Sequence, residues 1–421
     1  MREMKNSGVQ WIGEIPADWN VAKVKNHFNN AKEIAGVRSA DYERLALTMK
    51  GVIKRSKDDS DGLQPADFNT YQIVENNNLI FKLIDLQNVT TSRVGLSPFT
   101  GLVSPAYIRL MQAGGIFPKF AEYYFLMMWR NEIFNSLGDS GVRSSLNATE
   151  LLNLPVVHPN LEEQSRIVSF LDNQCSEIDT LISDIQSQIE TLEQYKRSVI
   201  TEAVTKGLNS NAEMKDSGIE WIGMIPSHWY VDKIKYHLKR NEPRNPGNVQ
   251  VLSVYREYGI IPKDSRDDNH NVTSEDTSKY KYVRPGDLVI NKMKAWQGSL
   301  AVSKYEGIVS PAYFIYNFTD EKFNKQYFHF LVRACYKEEF RRISGGIREG
   351  QWDLPAEAFE NVLVLLPPIE EQNIIVDYLD AKCSEIDACI NTKKEQLSTL
   401  ESYKKSLIYE YVTGKKEVPH D

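Results

Sequence analysis

Residues 162–205 read EEQSRIVSFLDNQCSEIDTLISDIQSQIETLEQYKRSVITEAVT, and residues 370–413 read EEQNIIVDYLDAKCSEIDACINTKKEQLSTLESYKKSLIYEYVT. At an offset of 208, 24 of the 44 positions are identical, and neither stretch contains proline or glycine. In the first copy Ile178, Ile182, Ile185, Ile189, Leu192 and Val199 recur at spacings of 4, 3, 4, 3 and 7. That is the a/d seam of a coiled coil. Ile386, Ile390, Leu397, Leu400 and Leu407 keep the same phase in the second copy. Lys196, Lys393 and Lys404 fall on the seam. A lysine there either fixes register or snorkels at the helix edge. A helix of this length spans about 65 Å. It cannot bury its stripe alone, and the matching stripe lies in the same chain.

The repetition extends beyond the helices. MKNSGVQWIGEIPADWNVAKVKNHF (4–28) and MKDSGIEWIGMIPSHWYVDKIKYHL (214–238) share 14 of 25 positions at an offset of 210. LVSPAY (102–107) matches IVSPAY (308–313), and GVRSSLN (141–147) parallels GIREGQWD (346–353). YQIVENNNLIF (71–81) resembles YKYVRPGDLVI (280–290), each a turn entering a strand. Residues 30–75 and 240–280 show no convincing match. Two copies of ~200 residues are duplicated domains, not a solenoid of small stacked units. Because a short linker near 207–212 joins the first helix to the second globular region, and that region leads straight into the second helix, the helices should run antiparallel. The expected division is 1–158, a globular head; 159–212, a long helix and linker; 213–366, a second head; and 367–421, a second long helix and tail.

Bulk properties fit a soluble protein. The chain has 421 residues, 41% hydrophobic and 25% charged, with a net charge of −7. No stretch approaches a membrane span, the N-terminus lacks the apolar core of a signal peptide, and a cytoplasmic location is expected. The acid is concentrated in the helices: residues 156–210 carry 4 Lys/Arg against 9 Asp/Glu, whereas 20–155 carry 15 against 13. The heads are mildly basic, which is compatible with nucleic acid. Cys175, Cys335, Cys383 and Cys389 form no C-x-x-C pair, and the seven histidines do not cluster. No metal site is expected, and His27 and His237, matched across the repeat, read as packing residues.

Together these segments resemble the specificity (S) subunit of type I restriction–modification systems. The segments that carry the resemblance are Ser7–Trp19 and Ser217–Trp229, Gly101–Tyr107 and Gly307–Tyr313, Gly141–Arg143 and Gly346–Arg348, and Pro159–Gln164 and Pro368–Gln372. They occur twice in the family's order and cover nearly the whole chain. The resemblance implies an α/β (α+β) fold with two target-recognition domains joined by two antiparallel coiled-coil helices, an internal pseudo-twofold. Each domain would read one half of a split site in double-stranded DNA, the helices fixing the unspecified spacer. The S subunit is not a catalyst in that family. It scaffolds two modification (M) subunits, which bind S-adenosylmethionine and methylate adenine, and supports restriction (R) subunits, which use ATP and Mg. No cofactor is expected in this chain. Consistently, it has no G-x-x-x-x-G-K-[ST] loop, no [DN]-P-P-[YF] methyltransferase motif and no H-E-x-x-H. The alternative is a coiled-coil adaptor without a DNA role. Pro285-Gly286-Asp287 before Lys292 only faintly resembles a nuclease site.

Side chains suited to phosphates and base edges in loops are the candidates for DNA contact. In the first head they are Lys50, Lys54, Arg55, Arg143, Ser144 and Ser145. In the second they are Arg256, Lys292, Lys294, Gln297, Arg348 and Gln351, with NKMKAWQG (291–298) mixing basic, aromatic and amide groups. An exposed strand and turn is the equally weighted reading of that segment. The SPAY residues repeat between heads that should read different bases, so they are expected to be framework. Trp11/Trp19 and Trp221/Trp229 are expected to pack the heads onto the helices.

Overall fold

The computed structural model describes residues 2–59, 67–86, 92–137, 145–247, 249–256, 259–265, 276–346 and 352–419. The chain divides into two units, Met1–Gln186 with Lys394–Asp421, and Ser187–Lys393. Both boundaries fall inside the long helices Leu161–Lys206 and Ile369–Val412.

In the first unit, the strands Phe28–Asn30, Ile108–Gln112, Leu79–Phe81 and Val94–Leu96 lie side by side in that order, all antiparallel. The helix Pro118–Arg130 packs against this sheet, with proline at its start where no backbone donor is needed. Phe125 meets Phe81 edge to face at 4.9 Å. A second sheet runs Gly51–Arg55, Arg44–Thr48, Gly101–Val103, Gln72–Val74, with Leu102 paired parallel to Arg44. Its core is a small cluster around Leu45, Leu47, Val74 and Val103.

The second unit repeats this plan. Leu238–Arg240, Tyr313–Phe318, Leu288–Asn291 and Leu300–Val302 form the first sheet, and Lys325–Cys335 is its helix. The hairpin Leu252–Tyr255/Gly259–Pro262 stands where 44–55 stands in the first head. A parallel bridge from Val251 to Ile308 repeats the Arg44–Leu102 pairing. The segments 30–75 and 240–280 that share no sequence match therefore share a hairpin. Side chains at a hairpin surface can change while the backbone ladder is kept.

The antiparallel helix pairing is visible within each unit. In the first, Ile167, Leu171, Cys175 and Ile178 from the start of one helix share a core with Leu407, Ile408, Tyr411 and Val412 from the end of the other. In the second, Val199, Ala203 and Val204 meet Ile375, Val376 and Leu379. Two seam lysines are ion-paired across the helices. Lys404 Nζ lies 2.5 and 2.6 Å from the Asp179 carboxylate oxygens, and Lys196 Nζ lies 2.7 and 2.6 Å from those of Asp387. Each residue of one pair is 208 positions from its counterpart in the other. The same contact is thus made twice with the copies exchanged, the logic of an isologous dimer interface within one polypeptide. Cys175 and Cys383 are buried small groups, as their position on the apolar face indicates.

The helix starts explain the E-E-Q motif. Trp19 Nε1 donates to Glu163 at 3.3 Å, and Trp229 Nε1 to Glu371 at 3.0 Å. Gln164 accepts from the Phe117 N–H and donates to Gly115 and Pro159 carbonyls. Gln372 accepts from Asn324 N–H and donates to Lys322 and Pro367 carbonyls. Each glutamine thus holds the start of the head's main helix to the start of the long helix. The opposite long helix closes on the same place. Gly207 and Gly414, both left-handed with φ near +70°, end the two helices. A Cβ at Gly414 would stand 2.4 Å from Pro16, and one at Gly207 3.3 Å from Trp229. Trp221, at 40% exposed, does not share the burial of Trp229, so in the second head the docking role falls on Trp229, whereas Trp11 packs against the first head's core beside Trp19.

Burial also creates an acid-sensitive point. His329 Nδ1 accepts from the Val302 N–H at 3.1 Å, and burial pushes its imidazole down to about 3, aided by the nearby Arg333 and Lys304 cations. The unfolded imidazole titrates near ~6.5, so the unfolded state binds the extra proton first as pH falls. Stability is full above that value and is lost as pH falls from there towards the folded pKa. By pH ~5 the loss is about 2 kcal/mol. Urea unfolding from pH 7 to 5 checks this: His329→Gln should flatten that part of the profile.

Candidate nucleic-acid interface

The frame of each head places the same loops together. Leu146 N–H donates to Leu83 O at 2.9 Å in the first head, and Leu354 N–H to Lys292 O at 3.1 Å in the second. This tether joins the loop after the central strand to the end of the G-(I/V)-R segment. The SPAY segments brace the frame: Gln72 Nε2 donates to Tyr107 O at 2.6 Å, and Lys281 Nζ to Tyr313 O at 2.6 Å. Their tyrosine hydroxyls are both held above the usual phenol range, chiefly by burial.

In the second head four candidates come together. The strand Leu288–Asn291 runs into a turn and a short 3-10 helix, Ala295–Gln297, closed by Gly298 at φ +89°. Lys292, Lys294 and Gln297 are on this loop, and Arg256, at the tip of the 252–262 hairpin, hydrogen-bonds to Gln297. Lys292 Nζ pairs with Asp353 at 2.8 Å. The Trp296 and Trp352 rings lie 5.4 Å apart. The loop is therefore cross-braced to the segment that follows GIREG by an ion pair, a backbone bond and a ring contact. Arg348 and Gln351 lie outside the described residues.

The first head gathers its candidates less tightly. Lys50 sits at the tip of the hairpin 44–55, where Thr48 Oγ1 accepts from its N–H at 3.2 Å and Gly51 has φ +92°. Lys54 pairs with Glu43 at 2.5 Å, its ammonium 5.2 Å from the Phe99 ring, and Arg55 pairs with Asp59 at 2.7 Å. Ser145 is exposed on the far side of the Leu83–Leu146 tether. Arg143 and Ser144 lie outside the described residues. Sequence reasoning passed over Met49, 59% exposed at the hairpin tip, and over Arg240 and Lys281 in the second head. An exposed methionine has no pattern in sequence, and strand register was needed to bring those two cations beside Lys292.

Asp287 accepts from the Arg284 N–H and the Asn317 amide, and burial raises its carboxyl above the usual range. That is a turn-forming aspartate. Among the described residues no group of His, Cys, Asp and Glu is placed to hold a metal. His237 is buried between Asp232 and Asp320, 3.2 and 2.9 Å from their carboxylates, and His27 Nδ1 lies 2.9 Å from Gly114 O. No helix among the described residues is long and apolar enough to cross a membrane.

Both heads repeat one mixed helix-and-strand plan, and the second adds a braced loop of basic and amide side chains. The chain belongs to the family of the type I restriction modification DNA specificity domain, whose model matches twice, at residues 47–191 and 233–401. It is 24% identical over 439 residues to the type I restriction enzyme MjaVIII specificity subunit of Methanocaldococcus jannaschii, covering 95% of this chain and 93% of that protein. Its fold is similar to a chain from the study "Structural basis underlying complex assembly and conformational transition of the type I R-M system". The TM-score is 0.69 at 14% identity, covering 96% of this chain and 99% of that one.

Proposed function

We propose that this specificity subunit recognises a bipartite site in double-stranded DNA, one half-site per head, with the spacer set by the long helices. The observation that carries this is one backbone frame holding two different sets of loop side chains. The hairpin 44–55 is the counterpart of the hairpin 252–262 in the repeat, and Leu83 and Ser145 stand where the second head has Lys292 and Asp353. A shared frame supports a shared task, and divergent loops support different targets.

The chain serves as a non-catalytic subunit in the cytoplasm. It holds two M subunits, which carry S-adenosylmethionine, and supports R subunits, which use ATP and Mg. No cofactor is assigned to the chain itself. Of the candidate residues, Arg256 and Gln297 are the best placed base readers, since an arginine fork suits guanine and an amide suits adenine. Losing one such pair costs about 1–3 kcal/mol of discrimination. Arg256→Ala or Gln297→Ala should therefore relax one base position in one half-site by roughly 10- to 100-fold. Selection of bound sequences from a randomised duplex by the assembled complex checks this. An adaptor without a DNA role would select no sequence, and any retention would lack the steep salt dependence of phosphate contacts.

A further inference from the structure

The second head gathers three cations around one aromatic ring, Phe314, whereas the first sets Arg44 and Lys57 over a different ring, Phe68, each 5.9 Å from its centroid. The Arg240 guanidinium carbon lies 4.5 Å from the centroid of Phe314, and the Lys281 and Lys292 ammonium groups each lie 5.9 Å from it. The strand register puts Arg240, Phe314 and Lys292 at one end of the sheet, and Lys281 reaches them from the neighbouring pair Lys281–Val283/Gly307–Val309. Arg240 is paired with Tyr316, and Ile290, two residues before Lys292, is paired with Phe314. Phe314 is 8% exposed, so its ring is the floor of the cluster.

Carboxylates partly balance the charge. Glu242 takes Arg240 at 2.7 Å and Lys281 at 2.9 Å, and Asp353 takes Lys292 at 2.8 Å. Glu360 lies beyond, accepting from the Tyr316 hydroxyl at 3.1 Å. The two outer cations remain open to solvent, with 41% of the Arg240 side chain and 30% of the Lys292 side chain exposed, against 15% for Lys281.

The same register identifies what the first head has instead. Asn30 pairs with Leu110 where Arg240 pairs with Tyr316, and Gln72 pairs with Val103 where Lys281 pairs with Val309. Leu83, 1% exposed, stands at the position of Lys292, and Ile108 at that of Phe314. The register-equivalent positions of the first head carry no cation, so the Phe314 cluster is not needed to build the shared frame.

We propose that Arg240 and Lys292, set over Phe314 and backed by Lys281, are a seat for DNA backbone phosphate on the second head. This rests on the DNA reading given above and deepens it by assigning one contact to phosphate and not to a base. Two cations within reach of one ring centroid present donors to a single diester. Lys281 adds positive potential from beneath while its own ammonium holds Glu242 and the Tyr313 carbonyl. Asp353 keeps Lys292 out of the core until the phosphate takes over as its counterion. The seat adjoins the Arg256–Gln297 contact through the 292–298 loop, so it would fix the register of that loop on the duplex.

The test uses the full chain assembled with its M subunits and a duplex carrying the selected site, with affinity measured across a salt series. Arg240→Asn and Lys292→Leu import the first head's own residues, which that frame accommodates. Each should flatten the slope of log affinity against log salt by ~1 and leave the selected base sequence unchanged in both half-sites. Arg240→Lys should restore the slope. A slope unchanged in both variants, with their melting and helix content intact, overturns the seat. So does a changed base preference, since these residues would then be readers. If the unmodified complex itself binds without sequence selection and without salt dependence, the DNA reading fails before the seat is in question.

Discussion

Trp229→Ala is expected to destabilise the second unit by about 4 kcal/mol, the cost of emptying a tryptophan-sized site in a packed core. Trp229 is fully buried, donates its indole N–H to Glu371, and closes against the helix end at Gly207. Three segments far apart in sequence meet at that ring: the opening of the head, the start of one long helix and the end of the other. Its removal leaves a cavity and frees the Glu371 carboxylate to pair with His228 alone, 2.8 Å away. Calorimetry of the full chain should show one transition moving down while the other, governed by Trp19 and Glu163, stays in place. Trp221→Ala, at the 40% exposed tryptophan, should cost far less. Equal effects from Trp221 and Trp229 would contradict the docking account.

Gln372→Leu is expected to cost about 3 kcal/mol although it keeps the apolar volume, because it strands buried backbone groups. The Gln372 amide satisfies the N–H of Asn324 and the carbonyls of Lys322 and Pro367, and the residue is fully buried. Each buried group left unpaired costs ~1–3 kcal/mol, and the leucine recovers only part through its methyl groups. Gln372→Glu distinguishes the cause: it keeps the acceptor for Asn324 but loses the donors to the two carbonyls. Chemical denaturation of the three proteins at neutral pH should rank them native, Leu, then Glu, because a carboxylate buried against two carbonyl oxygens is a charge without a partner. A leucine variant as stable as the native chain would show that these bonds are made equally well by water.

The parts legible in sequence are those where many residues repeat one simple demand. The long helices follow from the 3-4 spacing of Ile178 through Val199, and their antiparallel course follows from connectivity alone. The E-E-Q and I-P-x-x-W segments recur in the sequence, and the structure supplies the reason: Glu163, Gln164, Glu371 and Gln372 each complete a bond to the head. Of the three seam lysines, Lys196 and Lys404 are ion-paired to aspartates of the facing helix. Asp179 and Asp387 occupy the C-S-E-I-D repeats, and pairing them required the register of two distant segments. The hairpins 44–55 and 252–262 were opaque because the side chains that would have matched are the ones that differ. Lys50 sits at a hairpin turn, but Lys54 and Arg55, expected in a loop, lie on the strand Gly51–Arg55, where Glu43 and Asp59 brace them. Arg240 and Lys281, separated by about 40 residues in sequence, meet only through two ladders, one pairing Arg240 with Tyr316 and the other Lys281 with Val309.

The most direct test of the bipartite account is adenine-methylation mapping by long-read sequencing in cells that express the M subunit alone, with this chain, or with its Arg256→Ala/Gln297→Ala variant. The account predicts a gapped motif that appears only when the chain is present, and a variant motif degraded in one half with the other half and the spacer intact. Degradation of both halves together, or no motif from a chain and M subunit shown to be folded and associated, would contradict it.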